Sequence, residues 1–178
     1  GERNTVVGRD ALFSDTLGSQ SVAIGHDALA TQNFTTATDA LNTGVGYSVG
    51  LRITTGIRNT LLGGQAGDAL TDADYNVAVG AAALTSDTLG SQSTALGYGA
   101  LSVQNFTTAT NSLNTAVGYL AGEHVTTGTN NTLMGANTGD ALTIGKDNVA
   151  IGRSALTTDD VGSQNVAIGS SALESQNA

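Results

Sequence analysis

The feature that most constrains this chain is a five-residue motif, Asn-Thr/Val-Ala-Val/Ile-Gly, that returns ten times with a fixed beat. Its glycines are Gly8, Gly25, Gly46, Gly63, Gly80, Gly97, Gly118, Gly135, Gly152 and Gly169. Seven of the nine steps between them have the length 25 − 8 = 17, and the steps into Gly46 and Gly118 are longer, 46 − 25 = 118 − 97 = 21. The longer steps are themselves periodic, since 118 − 46 = 72. One copy of this super-repeat covers residues 4–75, a second covers 76–147, and a third begins at 148 and stops at 178. Repeats of this length imply stacked supersecondary units, each burying its apolar side against its neighbours.

With the motif glycine as position 5 of each coil, position 1 is Asn in eight coils and Ser in two, Ser21 and Ser93. Position 2 is Thr or Val, position 3 is mostly Ala, Val or Leu, and position 4 is always a bulky aliphatic or Met. A short β-branched run ending at glycine reads as a strand and a corner. A second glycine recurs at position 15 (Gly18, Gly56, Gly90, Gly128, Gly145, Gly162), where positive φ or a close backbone approach is expected. Two corners and two short strands per coil follow. A compensation then points to a packed interior. Where position 9 is Leu (Leu12, Leu29, Leu84, Leu101, Leu156, Leu173), position 12 is Asp or Gln; where position 9 is Gly (Gly50, Gly67, Gly122, Gly139), position 12 is Ile53, Leu70, Val125 or Leu142. One large aliphatic group per coil, never two and never none, is the signature of a close-packed layer. The expected fold is therefore all-β, a single parallel β-solenoid over 1–178, with ten coils of the shorter or the longer step. Ten coils at ~4.8 Å make a rod about 50 Å long.

Composition narrows the function classes. Aromatic residues are 4% and glycines number 24, which suits thin layers of small side chains rather than one thick core. The chain has no cysteine, so disulfides and thiolate metal sites are excluded. No apolar run reaches the ~18 residues of a membrane span, so no membrane insertion is expected. A net charge of −9 leaves no basic surface for a nucleic-acid backbone. A strand apolar on both faces expects cover on both. One face can pack inside the coil, and self-association is the simplest cover for the other.

The segments NVAIGRSAL, SVAIGHDAL and NTAVGYLAG resemble the head repeats of YadA-like trimeric autotransporter adhesins and the related NTAVGYxAG-type repeats of phage tail fibres. The likeness runs through all ten motifs, and the coils here are longer than those of adhesin heads, which favours the tail-fibre relatives. The resemblance implies a left-handed β-roll, three of which pack or intertwine about an axis as a homotrimer. It also implies a fragment of a longer extracellular fibre, on a virion tail or a bacterial outer surface, that meets a host-surface glycan or protein receptor. Two rival functions are an ice-binding solenoid and a glycan-cleaving tailspike. The first is weakened because no unbroken two-column Thr ladder forms.

No catalytic constellation, metal site or cofactor site is expected. His26 and His124 stand at different coil positions, without counterparts one super-repeat away, and read as single exposed histidines. The stretch DADYN (72–76) begins like a calcium loop, but Val77 replaces its turn glycine and the closing Glu is missing. Asp15, Asp87 and Asp159 repeat with the scaffold, as turn or structural residues do. GKD at 145–147 has the wrong spacing from Gly139 for a phosphate loop. The Asn column at position 1 reads as a hydrogen-bonded ladder between coils. The two longer coils both contain QNFTTAT (32–38 and 104–110), and loops on rigid scaffolds often carry recognition. Asn33, Phe34, Thr35, Thr36, Asn105, Phe106, Thr107 and Thr108 are the candidate receptor contacts. The alternative is that Phe34 and Phe106 pack against a neighbouring chain. Tyr47, Tyr98 and Tyr119 at position 6 are weaker candidates for surface contact.

Overall fold

A computed structural model describes residues 1–175, and these wind as a parallel β-solenoid. In chain order the strands are β1 (Thr5–Val7), β2 (Gly18–Ser19), β3 (Val22–Ile24), β4 (Thr38–Asp39), β5 (Thr43–Val45), β6 (Thr60–Leu62), β7 (Val77–Val79), β8 (Gly90–Ser91), β9 (Thr94–Leu96), β10 (Thr110–Asn111), β11 (Thr115–Val117), β12 (Thr132–Met134), β13 (Val149–Ile151) and β14 (Val166–Ile168). Among the described residues there is no helix. Ten of these strands, one per coil at positions 2–4, form a single parallel sheet in the order β1-β3-β5-β6-β7-β9-β11-β12-β13-β14. The register is in step throughout: Thr43 pairs with Thr60, Gly44 with Leu61 and Val45 with Leu62. Among the described residues a coil's second short strand forms only where the long coils stack, as the pairs β2–β4 and β8–β10. The second strand expected in every coil is therefore confined to those two places. Elsewhere among the described residues the same stretch bends, held by single bonds such as Gly56 N–H to Thr71 C=O and Ile57 N–H to Asp74 Oδ1.

Strand alternation decides what lies inside. Position 3 turns inward, and Ala23, Leu61, Ala78, Ala95, Ala116, Leu133 and Ala150 are fully buried. Position 8 adds a column of buried small residues that includes Ala28, Val49, Ala66, Ala83 and Ala100. The exchange between positions 9 and 12 is steric. A Cβ on Gly67 would lie 2.8 Å from Cδ1 of Leu70 and 3.0 Å from Cδ2 of Leu61. Leu29, Leu84, Leu101 and Leu156 fill the same space from position 9, and Ile53, Leu70, Val125 and Leu142 fill it from position 12. Gln176, the position 12 residue of the tenth coil, lies outside the described residues.

The corners differ in part from expectation. The motif glycine takes φ between 122° and 145°, a region closed to residues with a Cβ, and in every coil but the last a Cβ there would strike the next coil: 2.4 Å from the Gly135 carbonyl oxygen in the case of Gly118. Position 15 glycines do not have positive φ. They are small because a neighbour approaches closely, as the Ala73 carbonyl oxygen does 2.4 Å from the Cβ site of Gly56. Positions 7, 9 and 17 are left-handed in non-glycine residues, among them Asp10, Leu29, Leu84, Arg58 and Tyr75. Each carries a conformational cost of order 1 kcal/mol that stacking of the coils must offset.

Candidate binding surface

The Asn column is structural. In seven of the eight Asn residues, Asn4 to Asn148, Nδ2 donates to the position 15 carbonyl of its own coil at 2.7–2.9 Å and Oδ1 accepts the position 1 N–H of the next coil at 2.8–3.1 Å; Asn165 Nδ2, in the last coil, donates to Asp159 Oδ2 at 3.1 Å. The position 15 carbonyl and the position 1 N–H are backbone polar groups at a buried corner, which need partners. Ser21 and Ser93 are too short to continue the ladder, and glutamine repairs it. Gln32 Nε2 donates to Ser21 Oγ (3.3 Å) and its Oε1 accepts from Asn42 Nδ2 (2.9 Å); Gln104 does the same with Ser93 (2.9 Å) and Asn114 (2.8 Å). This link between Ser at position 1 and Gln at position 12 in coils two and six was readable in the sequence.

The buried aspartates hold the long coils. Asp87 Oδ1 accepts the N–H groups of Gly90 and Phe106, both at 3.0 Å, and Oδ2 accepts Gln104 Nε2 at 2.6 Å. Burial, only partly countered by these donors, pushes the Asp87 carboxyl above the usual carboxylate range. Asp15 likewise caps Gly18 N–H (2.9 Å) and meets Gln32 (3.3 Å). The carboxylates of 72–76 do not converge on an ion site. Asp72 accepts from Thr55 Oγ1 (2.6 Å) and Asp74 from Ile57 N–H (2.7 Å), while Asn76 belongs to the ladder. The GKD stretch is equally structural, with Lys146 N–H on Ser163 Oγ at 3.0 Å.

The QNFTTAT segments separate into two kinds of residue. Phe34 and Phe106 are 6% and 5% exposed. Their rings pack within their own chain, each with Cδ2 2.8 Å from the Cβ site of a preceding-coil glycine, Gly18 or Gly90. An aromatic ring in the expanded coil thus plugs the added width instead of projecting from it. Asn33, Thr35, Thr36, Asn105, Thr107 and Thr108 stay exposed. Asn33 Oδ1 accepts from Thr16 Oγ1 (2.9 Å), and Asn105 Oδ1 from Thr88 Oγ1 (3.1 Å). The two loops lie four coils apart, about 19 Å along the rod, so they do not form one site.

A uniform surface runs along the outer face of the ten-stranded sheet. Position 2 supplies Thr5, Val22, Thr43, Thr60, Val77, Thr94, Thr115, Thr132, Val149 and Val166; position 4 supplies Val7, Ile24, Val45, Leu62, Val79, Leu96, Val117, Met134, Ile151 and Ile168. Every one is exposed or half-buried, and none is charged. Only one of the two columns carries hydroxyls. Nine steps of ~4.8 Å by a width of ~10 Å give about 430 Å² of flat, uncharged surface, within the range of the largest patch that a typical free-standing protein exposes and often uses for binding.

Beside this face, past the glycine corner, runs position 6. There His26 stacks on Tyr47, with ring centroids 5.6 Å apart and planes 19° from parallel, and Tyr98 stacks on Tyr119 at 5.6 Å and 13°. The two pairs are related by the super-repeat, which the sequence reading of His26 as a single residue missed. His26 Nδ1 lies 2.9 Å from Asp27 Oδ2, with Asp10 close by, and His124 Nδ1 lies 3.3 Å from Asp140 Oδ1, beside Glu123. Among the described residues no enclosed pocket forms, and no helix is long and apolar enough to cross a membrane. Comparison with family models, curated proteins and solved structures gives no match.

Proposed function

We propose that this chain is a structural and adhesive segment of a homotrimeric surface fibre, of the phage tail-fibre or bacterial adhesin-head kind, that attaches to host or other surface material without catalysis. The observation that supports this reading most is the uncharged outer face at positions 2 and 4, which a lone solenoid leaves in water. Ten coils keep Thr or Val in one column and a large apolar side chain in the other. Solubility alone would favour charged residues at such positions.

Full burial of an aliphatic side chain contributes about 1.5–3 kcal/mol, and these are already half covered, so each gains about 1 kcal/mol more from a partner. Ten together give roughly 10 kcal/mol, the same order as the freedom lost on association. The whole column must therefore engage, and the contact fits a sister chain that carries the same column in the same step. Extracellular placement and a receptor role follow from this reading and from the resemblance of the repeats.

Sedimentation equilibrium tests it. The intact chain is expected to sediment as a trimer, and a clean monomer overturns the proposal. Ile24→Asp or Val117→Asp would bury an unpaired charge in the contact and should dissociate it. Both side chains lie outside the coil, so the circular-dichroism spectrum should keep its β character.

A further inference from the structure

We infer that the stacked ring pairs Tyr98–Tyr119 and His26–Tyr47 are platforms for uncharged pyranose rings, so that the rod binds a neutral polysaccharide along its length. This deepens the attachment reading above by naming the ligand class and moving the contact from the QNFTTAT loops to position 6.

Tyr47, Tyr98 and Tyr119 are 61%, 55% and 55% exposed, so more than half of each tyrosine meets water. Within the position 6 column small residues separate the pairs and follow the second: Gly64 and Ala81 lie between Tyr47 and Tyr98, and Ala136 follows Tyr119, while Arg9, paired with Asp10 at 2.9 Å, precedes His26. A Cβ added at Gly64 would meet nothing within 4 Å, so the floor between the platforms is open. The rings of each pair are nearly parallel and one coil apart, fixed by backbone bonds that run directly between the paired coils, such as Leu120 N–H to Tyr98 C=O and Ser48 N–H to His26 C=O. Rigid rings lose little freedom on binding.

The chemistry selects the ligand. A sugar ring offers a face of C–H groups to an aromatic face while its hydroxyls stay hydrated or bond to a phenol. Tyrosine matches both needs, with an apolar face and a polar tip. A nucleobase also stacks, but it brings phosphate, and a chain of net charge −9 repels a polyanion. Acidic glycans are disfavoured for the same reason. The two platforms lie four coils apart, about 19 Å, so one extended oligosaccharide can meet both and gain from effective concentration.

The chain has four tyrosines and no tryptophan, so its fluorescence reports on the rings directly. Cellohexaose, maltohexaose, laminarihexaose and chitohexaose are titrated into the intact chain, with oligogalacturonate as the acidic comparison, and tyrosine emission and ring proton shifts are followed. At least one neutral hexasaccharide should bind, and its disaccharide should bind at least ~10-fold more weakly. Tyr98→Ala/Tyr119→Ala should weaken the same hexasaccharide at least ~10-fold, while Thr35→Ala/Thr107→Ala should leave it unchanged. Absence of binding across the panel, preference for oligogalacturonate, or binding that survives the tyrosine changes overturns the inference. Dissociation of the tyrosine variant in sedimentation would also overturn it, by making the rings a contact between copies. A trimer that ignores every hexasaccharide refutes this inference and leaves the fibre reading intact; a monomer that binds through the tyrosines does the reverse.

Discussion

Asp87→Ala is the most searching perturbation of the interior, because its effect depends on pH in a direction opposite to ordinary acid denaturation. The side chain is fully buried and accepts three hydrogen bonds, from Gly90 N–H, Phe106 N–H and Gln104 Nε2. Removing it orphans two buried backbone donors, the Gly90 and Phe106 N–H groups, at about 1–3 kcal/mol each, and leaves Gln104 Nε2 with Ser93 Oγ alone. Against that, the cost of holding a carboxylate away from water, several kcal/mol, disappears. The expected net loss is about 3 kcal/mol at neutral pH. Burial is the largest influence on the Asp87 carboxyl and raises its pKa, so the folded chain binds this proton more tightly than the unfolded chain. By linkage the wild type gains stability as pH falls through the folded value, and the gain is complete below the unfolded value of 3.8. The alanine variant lacks the group and the gain. Its deficit relative to wild type should therefore be larger at about pH 4.5 than at about pH 8, with the other carboxylates cancelling between the two proteins. Urea unfolding followed by circular dichroism at matched concentration measures the deficit. Hydrogen exchange at Phe106 and Gly90 N–H reads the local opening. A deficit that shrinks on acidification, or unchanged exchange at those two amides, would refute the account of Asp87 as the buried cap of the long coil.

Three further outcomes follow from the packing. Gly67→Leu should clash with Leu70 and Leu70→Ala should leave a void, each costing about 2–4 kcal/mol, but the double variant should recover at least ~1 kcal/mol of their sum in a double-mutant cycle. Gly118→Ala should lower the melting temperature markedly, by about 2–4 kcal/mol of stability, because φ is +141° and its Cβ would lie 2.4 Å from the Gly135 oxygen; Gly64→Ala, with open space at its Cβ, should melt within ~0.5 kcal/mol of wild type. Asn131→Ala removes the partners of the Gly145 carbonyl and the Asn148 N–H at one corner, and chemical unfolding should register a loss of about 2–4 kcal/mol.

Much of this molecule was written into the repeat. The constant step between motif glycines, with its two longer exceptions, fixed the number of coils, their parallel stacking and the location of the strands at positions 2–4. The exchange of Leu between positions 9 and 12 identified the interior, because only a filled layer enforces a constant volume. The Asn column announced the ladder. Three things needed the third dimension. Alternation along a strand says that positions 3 and 4 point apart, but both were apolar, so only the winding of the backbone decided that position 3 faces the core and position 4 the outside. Left-handed Arg58 and Tyr75 carry no sequence mark of their strain, since no coil has glycine at position 17 and the contacts that offset it come from the coils above and below. Phe34 and Phe106 looked like loop-tip residues by spacing. They are buried because the widened coil opens a space beside Gly18 and Gly90 that only a large ring fills. A sequence periodicity determines what lies over what; which way each side chain turns depends on backbone angles that neighbouring coils impose.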